Sequence, residues 1–473
     1  MRRLAPCLAL ALATGCRERP ATDPKLFAEW TRNLYGAVRA ERLSPPVASR
    51  LYAYTAVGLY AGLAAADSSL PRIDGRLNGL PELPRSRGGS YDPTLTLLAT
   101  QRVLFDTLFR DALPTTKSSL TQLLDSLKRA RLALISPSDS IPSDSLGRQT
   151  ALAIIRWANA DGFATTRGRK YVAPRGRGFW VNDSTPTTYT TQSISGISQL
   201  VVPGNPSNAV TGGGGTDRGL ILDRQKRAGP TTMPAVNMAG ITEPYWGTLR
   251  PFVLKTWDEC PSPPAPVYGE KAGTQLYDEA KQVWEVSKTL TPEQRVITLY
   301  WADNGGETGT PVGHWLSIAG QMISQEKMSA NDAAMAITAT AVSMADAFIS
   351  TWGFKFKHSV MRPRTVIRTM IDPKWEPAIP TPPFPEFFSG HSTVSAAAAE
   401  TLQKLIGAKP FVDSTALTIG HDVRRFESFR AAAAEAGMSR IYGGIHYPAA
   451  NTAGAEVGRC VANKVVEKLT GGK

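Results

Sequence analysis

Residues Phe384 to Leu405 read FPEFFSGHSTVSAAAAETLQKL. A Pro- and Phe-rich approach gives way, at Ser389-Gly390-His391, to a helix of small apolar residues. The chain has only five histidines in 473 residues, so one placed at a helix start asks for a reason. Ser and Gly let backbone N–H groups approach a ligand closely, and the helix that follows turns its positive dipole end toward it. His391 then stands where it can give a proton to a bound oxyanion or take one from it. The plainer reading is a helix cap with an incidental histidine.

Working upstream, Lys355 and Arg362 are two helical turns apart and are expected on one helix face, with the helix ending where Pro363 disfavours it at Arg362. Two cations on one face suit a multiply charged anion, although most such pairs are solvated surface charges. Downstream, MSRIYGGIHYPAAN sets Arg440 and His446 on either side of a Gly443-Gly444 turn that can fold the histidine back toward the arginine. Arg440 offers a planar fork for two oxygens of a tetrahedral anion. His446 offers a ring nitrogen as nucleophile or metal ligand.

Further out, the chain is helical by pattern. LFAEWTRNLYGAVRA, VASRLYAYTAVGLYAGLAAA, TLTLLATQRVLFDTLF and LGRQTALAIIRWANA repeat apolar residues at three- and four-residue intervals between Pro, Asp and Ser signals. The same pattern returns in GTQLYDEAKQVWEVSK, TPEQRVITLYWAD, VGHWLSIAGQMISQ and SANDAAMAITATAVSMADAFISTWGFKFK. Between them, residues 162–269 are rich in Gly, Pro and Thr and too long for an ordinary connection. The run Gly212–Gly215 lacks the Gly-Lys-Ser/Thr ending of a phosphate loop and reads as a flexible tip. The aromatic phrase EPYWGTLRPFVL is expected to pack on the body. The expectation is therefore an all-α fold with a long irregular wrapping segment.

Hydrophobic content of 42% and charged content of 20% allow a substantial core. A net charge of +13 and a pI near 9.6 point to anionic partners. Nucleic acid is disfavoured, because the basic residues are scattered and form no stripe. The N-terminus, MRRLAPCLALALATGC, has a basic start, a short apolar stretch and small residues before Cys16. It reads as an export signal over residues 1–15 with Cys16 as the lipidated first mature residue, although Ala13 stands where Leu is usual. The alternative is a plain signal peptide with a chance cysteine. The apolar run Leu51 to Ala66 is short of the roughly 20 residues a membrane span needs and reads as a buried helix. With Cys7 removed and Cys16 the anchor, Cys260 and Cys460 are left free to pair in an oxidising compartment. No C-x2-C spacing exists, which disfavours zinc and iron–sulfur chemistry.

Taken in order, K-x6-R-P, S-G-H and S-R-x5-H resemble the three-part signature of the type 2 phosphatidic acid phosphatase and vanadium haloperoxidase superfamily. GFATTRGR, EPYWGTLRPFVL and PVGHWL also resemble the bacterial vanadium haloperoxidase branch. The resemblance implies a helical-bundle architecture in one domain over residues 16–473, irregular over 162–269 and carrying its oxyanion site over 329–467. It implies vanadate as cofactor, with hydrogen peroxide, a halide and a small organic molecule as partners. Lys355, Arg362, Ser389, Gly390 and Arg440 would hold the vanadate oxygens, His391 would hydrogen-bond the apical oxygen, and His446 would ligate vanadium. His391, Lys355 and His446 would be catalytic, and Trp352 and Phe384 would flank the halide.

Two positions depart from the family pattern. Phe388 replaces the usual Pro before Ser-Gly-His, and Ala450 stands where an Asp often orients the metal-binding histidine. Asn451 or a backbone carbonyl is the expected substitute. His358, one turn after Lys355, is expected to be structural; His314 and His421 are expected to be capping or core residues. Two other functions stay open. One is an acid phosphatase in which His446 attacks phosphorus and His391 protonates the leaving oxygen. The other is a lipid-anchored protein that binds an oxyanion without turnover. The length of the chain, the lack of the spans of lipid phosphatases, and the upstream phrases favour the peroxidase.

Overall fold

The computed structural model describes residues 20–86, 88, 90–167, 169–183 and 241–471. The expected signal, Cys7, Cys16 and the Gly212–Gly215 run lie outside the described residues. Helices dominate as expected: α1 Lys25–Ala40, α2 Pro45–Ala66, α3 Pro93–Leu108, α4 Pro114–Leu132 and α5 Pro137–Asn159. After the wrapping segment come α6 Gln275–Lys288, α7 Pro292–Tyr300, α8 Thr310–Gln325, α9 Ala330–His358 and α10 Pro363–Met370. The last three are α11 Gly390–Ile406, α12 Phe429–Tyr442 and α13 Pro448–Thr470. Between α11 and α12, β1 (Phe411–Asp413) pairs antiparallel with β2 (Arg424–Phe426), Phe411 opposite Phe426.

Proline punctuates this layout. The first turns of α2, α3, α4, α5, α7, α8, α10 and α13 each contain one, where its missing N–H is no loss. Helix α4 was not singled out by pattern, because it buries only a thin stripe that includes Leu120 and Leu124.

Helix α9 is the hub. It packs on α2 from the first third of the chain and on α11 and α13 from the last. By length and composition α9, unlike the shorter apolar run in α2, is able to cross a membrane, yet 94% of its most apolar window is buried inside the protein. Its neighbours make it a core helix. The α11–α13 crossing is set by glycine: a Cβ on Gly458 would come within 2.2 Å of the Thr393 carbonyl oxygen, and one on Gly454 within 2.8 Å of that of Ser389. Close approach there fixes the start of α11.

Two helix ends differ from expectation. Helix α9 stops at His358, with Ser359 in the left-handed region at φ 50°. Arg362 is the extended residue before α10, at φ −75° and ψ 153°, as Pro363 requires. Lys355 and Arg362 therefore belong to different elements and do not share a helix face. Likewise α7 ends at Tyr300 and not at Asp303, which adopts φ 47°.

The wrapping segment is tied down. The Asp346 carboxylate on α9 accepts from the amides of Phe252, Val253 and Leu254 at 2.6, 2.8 and 3.0 Å. Trp246, Leu249 and Phe252 are buried, as the aromatic phrase implied. Cys260 and Cys460 form a disulfide that joins this segment to α13 across 200 residues of sequence.

Candidate active site

Where the ends of α9, α11 and α12 meet, three cations are buried together. Lys355, in the last turn of α9, is 0% exposed and donates to the carbonyls of Pro385 and Glu386 at 3.1 and 2.8 Å. Burial, with Arg362 nearby, pushes its ammonium pKa well below the ordinary lysine value. Arg362 donates from Nε to the Phe384 carbonyl at 2.9 Å and from Nη1 to that of Ile445 at 2.8 Å. Arg440, in the last turn of α12, donates from Nη1 to the Trp301 carbonyl at 3.0 Å. Its Nε and Nη2 are buried with no hydrogen-bond partner. Burial lowers its guanidinium pKa to about 10, with Asp303 opposing the shift.

The two histidines sit differently. His391 is the second residue of α11 and half-buried, with Nε2 2.9 Å from Arg440 Nη1. Burial, with Arg440 adding to it, holds its pKa well below the usual value. A neutral ring at the head of a helix can accept a proton. His446 follows Gly444, whose φ of 74° makes the turn that swings the ring inward. It is 3% exposed, with Nε2 3.2 Å from Arg362 Nη1. Burial and then Arg362 and Lys355 push its pKa well below the ordinary value as well.

What orients His446 was not foreseen. Its Nδ1 lies 2.7 Å from Glu386 Oε1, which also accepts the Tyr447 amide at 3.0 Å. A proton on Nδ1 leaves the Nε2 lone pair for an electrophile, so Glu386 fixes the tautomer. Burial raises the Glu386 carboxyl pKa to about 7, against Lys355 and Arg362, which lower it. Asn451 is not the substitute: it accepts from Ser392 and donates to the Gly437 carbonyl. The Ala450 carbonyl is also engaged elsewhere, accepting the Ser389 amide at 3.1 Å. One signal for Glu386 existed. It is a lone carboxylate in an apolar stretch bound for burial, and a buried charge must find a partner.

A cavity of about 120 Å³ opens onto these groups. Gly390, His391, Arg440 and His446 line it, and Phe348, Trp352 and Phe384 form an apolar wall. Lys355, Arg362 and Ser389 lie behind that lining, each 0% exposed. Gly390 faces the Trp352 ring, from which a Cβ would stand 3.8 Å, an ordinary contact distance. Trp352 and Phe384 lie with ring centroids 5.0 Å apart. The Ser389 side chain caps α11 through the Ser392 amide. Phe388, in place of Pro, is buried against Phe354 at 5.0 Å.

The remaining histidines separate. His358 stacks on Phe354 and lies outside the cavity lining. His421 is half-buried beside Tyr300 and is not a core residue. His314 is a core residue held between two carboxylates.

Three buried cations, unsatisfied guanidinium donors, a helix start and a glycine cradle together fit a tetrahedral oxyanion. Among the described residues no group of three or more His, Cys, Asp or Glu comes together as a site for a bare metal ion. A metal held here would come as an oxyanion, through hydrogen bonds and one imidazole nitrogen.

A profile of the VCPO second helical-bundle domain matches residues 335–471. Among solved structures, the chain is similar to the first bacterial vanadium-dependent iodoperoxidase. The two share 30% identity over 95% of this chain and 98% of that one, with a TM-score of 0.76. A bacterial vanadium-dependent chloroperoxidase in its holo form shares the fold at 15% identity, over 91% of this chain and 93% of that one, with a TM-score of 0.61. The apo form does so at 14% identity over 92% and 95%, with a TM-score of 0.59. No curated protein matches the chain.

Proposed function

The chain belongs to the vanadium haloperoxidase family, and from that premise we propose that it oxidises iodide and bromide with hydrogen peroxide to hypohalous acid, and chloride less readily. The observation that carries this is the Arg440 guanidinium. It is buried on a cavity it shares with His446, with Nε and Nη2 unpartnered.

Vanadate, when bound, supplies a Lewis-acidic centre for peroxide. Lys355, Arg362, Ser389, the Gly390 amide and Arg440 are assigned to its oxygens, and His446 Nε2 to the metal. Glu386 holds that ring in the required tautomer. His391, kept neutral by burial and Arg440, takes a proton from peroxide at neutral pH and returns it afterwards. Lys355 Nζ lies 5.2 and 5.9 Å from the Phe384 and Trp352 ring centres, so its amine faces the apolar wall. Large, weakly hydrated halides lose least on entering such a wall, and iodide and bromide are also the easier to oxidise. Hypohalous acid then halogenates a small organic acceptor.

The test compares iodide oxidation by protein stripped of vanadate and by the same protein reconstituted with it. Activity should return with vanadate, and inorganic phosphate should depress it by competing for the cage. Equal activity before and after reconstitution overturns the cofactor. Phosphate-ester hydrolysis without halide oxidation puts the phosphatase in its place.

We also infer export, with residues 1–15 removed, Cys16 lipidated, and one domain over residues 16–473 facing the periplasm or cell exterior. The N-terminal pattern supports this, and so does the Cys260–Cys460 disulfide, a bond of oxidising compartments. Intact mass of protein made in a bacterial host decides it. An unmodified Cys16 removes the anchor, and an uncut N-terminus removes export.

A further inference from the structure

On the side of His391 and Arg440, a second cluster of buried ionisable groups lies against the cavity. His314, on α8, is 1% exposed. Its Nδ1 is 3.0 Å from both Asp303 oxygens, and its Nε2 is 2.7 Å from Asp413 Oδ2. With a carboxylate against each ring nitrogen, both nitrogens donate and the ring carries two protons. Burial opposes that charge, but Asp303 and Asp413 hold the imidazolium pKa up to about 10. The other groups facing the ring are Trp301, stacked at 4.5 Å and 16°, and Tyr300, whose ring centre is 5.6 Å away. Asp413 is itself held by the Thr415 amide at 2.9 Å.

What this cluster grips is a piece of the site. The Trp301 carbonyl accepts from Arg440 Nη1, the nitrogen that also contacts His391. Ala302 and Asp303 line the cavity. Asp303 keeps a positive φ of 47°, which a residue with a side chain holds only where its surroundings over-determine it. A buried ion pair is weak evidence for stability, because packed apolar residues often serve as well. A role in holding geometry accounts for the charges better.

We propose that Asp303, His314 and Asp413 form a positioning device. His314 clamps residues 301–303, and that wall sets where Arg440 and His391 present their nitrogens to the oxyanion. His314 is thus a positioning residue that never touches the ligand. The inference rests on reading the cage as an oxyanion site.

The test uses the full chain with His314→Gln and Asp413→Asn, singly and together. Three things are measured: melting temperature, affinity for orthovanadate and for inorganic phosphate by calorimetry, and the ring signals of 15N-labelled histidine. The wild type should show one ring with both nitrogens protonated at mildly alkaline pH, and His314→Gln should lack it. Each single change should weaken both anions by about 10–100-fold, the range typical of partners that orient ligating groups. The double variant should lose less than the two losses combined, because both act on one wall. Asp413→Asn keeps the Asp303 contact and covers the case in which His314→Gln does not fold. Folded variants that melt lower yet bind both anions as the wild type does would overturn the inference and leave the cage reading intact. A wild type that binds neither anion would sink the cage reading and the inference with it.

Discussion

Trp301 stands between two regions of buried charge that are settled in opposite ways. Its ring lies on His314, where a carboxylate meets each imidazole nitrogen. Its carbonyl holds Arg440, whose Nε and Nη2 meet nothing. Around Arg440, Lys355 and Arg362 are buried as well, and the carboxylate among them, Glu386, already serves His446 and the Tyr447 amide. An unsatisfied buried charge costs several kcal/mol, so the Arg440 guanidinium, with two donors unpartnered, is where a bound anion would offset a deficit. The contrast is between a histidine whose two ring nitrogens are both matched and an arginine with two donors left for an anion.

The sharpest way to break that contrast is at His446. His446→Ala removes the one imidazole nitrogen assigned to the metal, and should abolish vanadium retention and turnover together. His391→Ala should keep vanadate in the cation cage, more weakly, and slow turnover by about 10²–10⁴-fold. Vanadium lost from the His391 variant and kept by the His446 variant would reverse the two roles. Next in size is Glu386→Ala, which frees the His446 ring to rotate or change tautomer. A loss of about 10–100-fold in vanadate affinity is expected. Glu386→Gln, whose amide oxygen still accepts from Nδ1, should recover part of it.

Two smaller effects concern stability. Replacing Cys260 and Cys460 with Ala should cost about 2–5 kcal/mol in chemical denaturation and leave anion affinity unchanged, since the disulfide touches neither charge cluster. The His314 pKa is raised from 6.5 to about 10 in the fold, so its contribution is complete below the unfolded value and is lost as pH rises through about 10. Asp413 is lowered from 3.8 to about 2, so its contribution is present above the unfolded value and is lost as pH falls through about 2. Denaturation across the alkaline range should therefore show a steeper loss in the wild type than in His314→Gln.

The residues that meet at the cavity carry local marks in the sequence: a cap and helix start at Ser389, a proline after Arg362, a glycine turn before His446. Helical periodicity likewise gave the bundle, apart from the polar helix α4. Apart from the two cysteines, long-range pairing of side chains was out of reach. Glu386 meets a histidine 60 residues away, and His314 meets carboxylates 11 and 99 residues away. No local spacing announces either contact. The ends of α7 and α9 were misplaced for a related reason. Ser359 closes α9 through positive φ, and Asp303 adopts it just beyond the end of α7, a region that few residues other than glycine enter.

The central claim is that the buried basic groups around Arg440 form a site for one tetrahedral oxyanion, and that vanadate in it makes the protein a haloperoxidase. Elemental analysis of protein equilibrated with orthovanadate, with and without excess phosphate, tests it most directly when iodide oxidation is followed on the same samples. One vanadium per chain is predicted, lost with phosphate and absent from His446→Ala, with activity tracking metal content across all samples. Protein that holds no vanadium, or that oxidises iodide equally without it, would contradict the account.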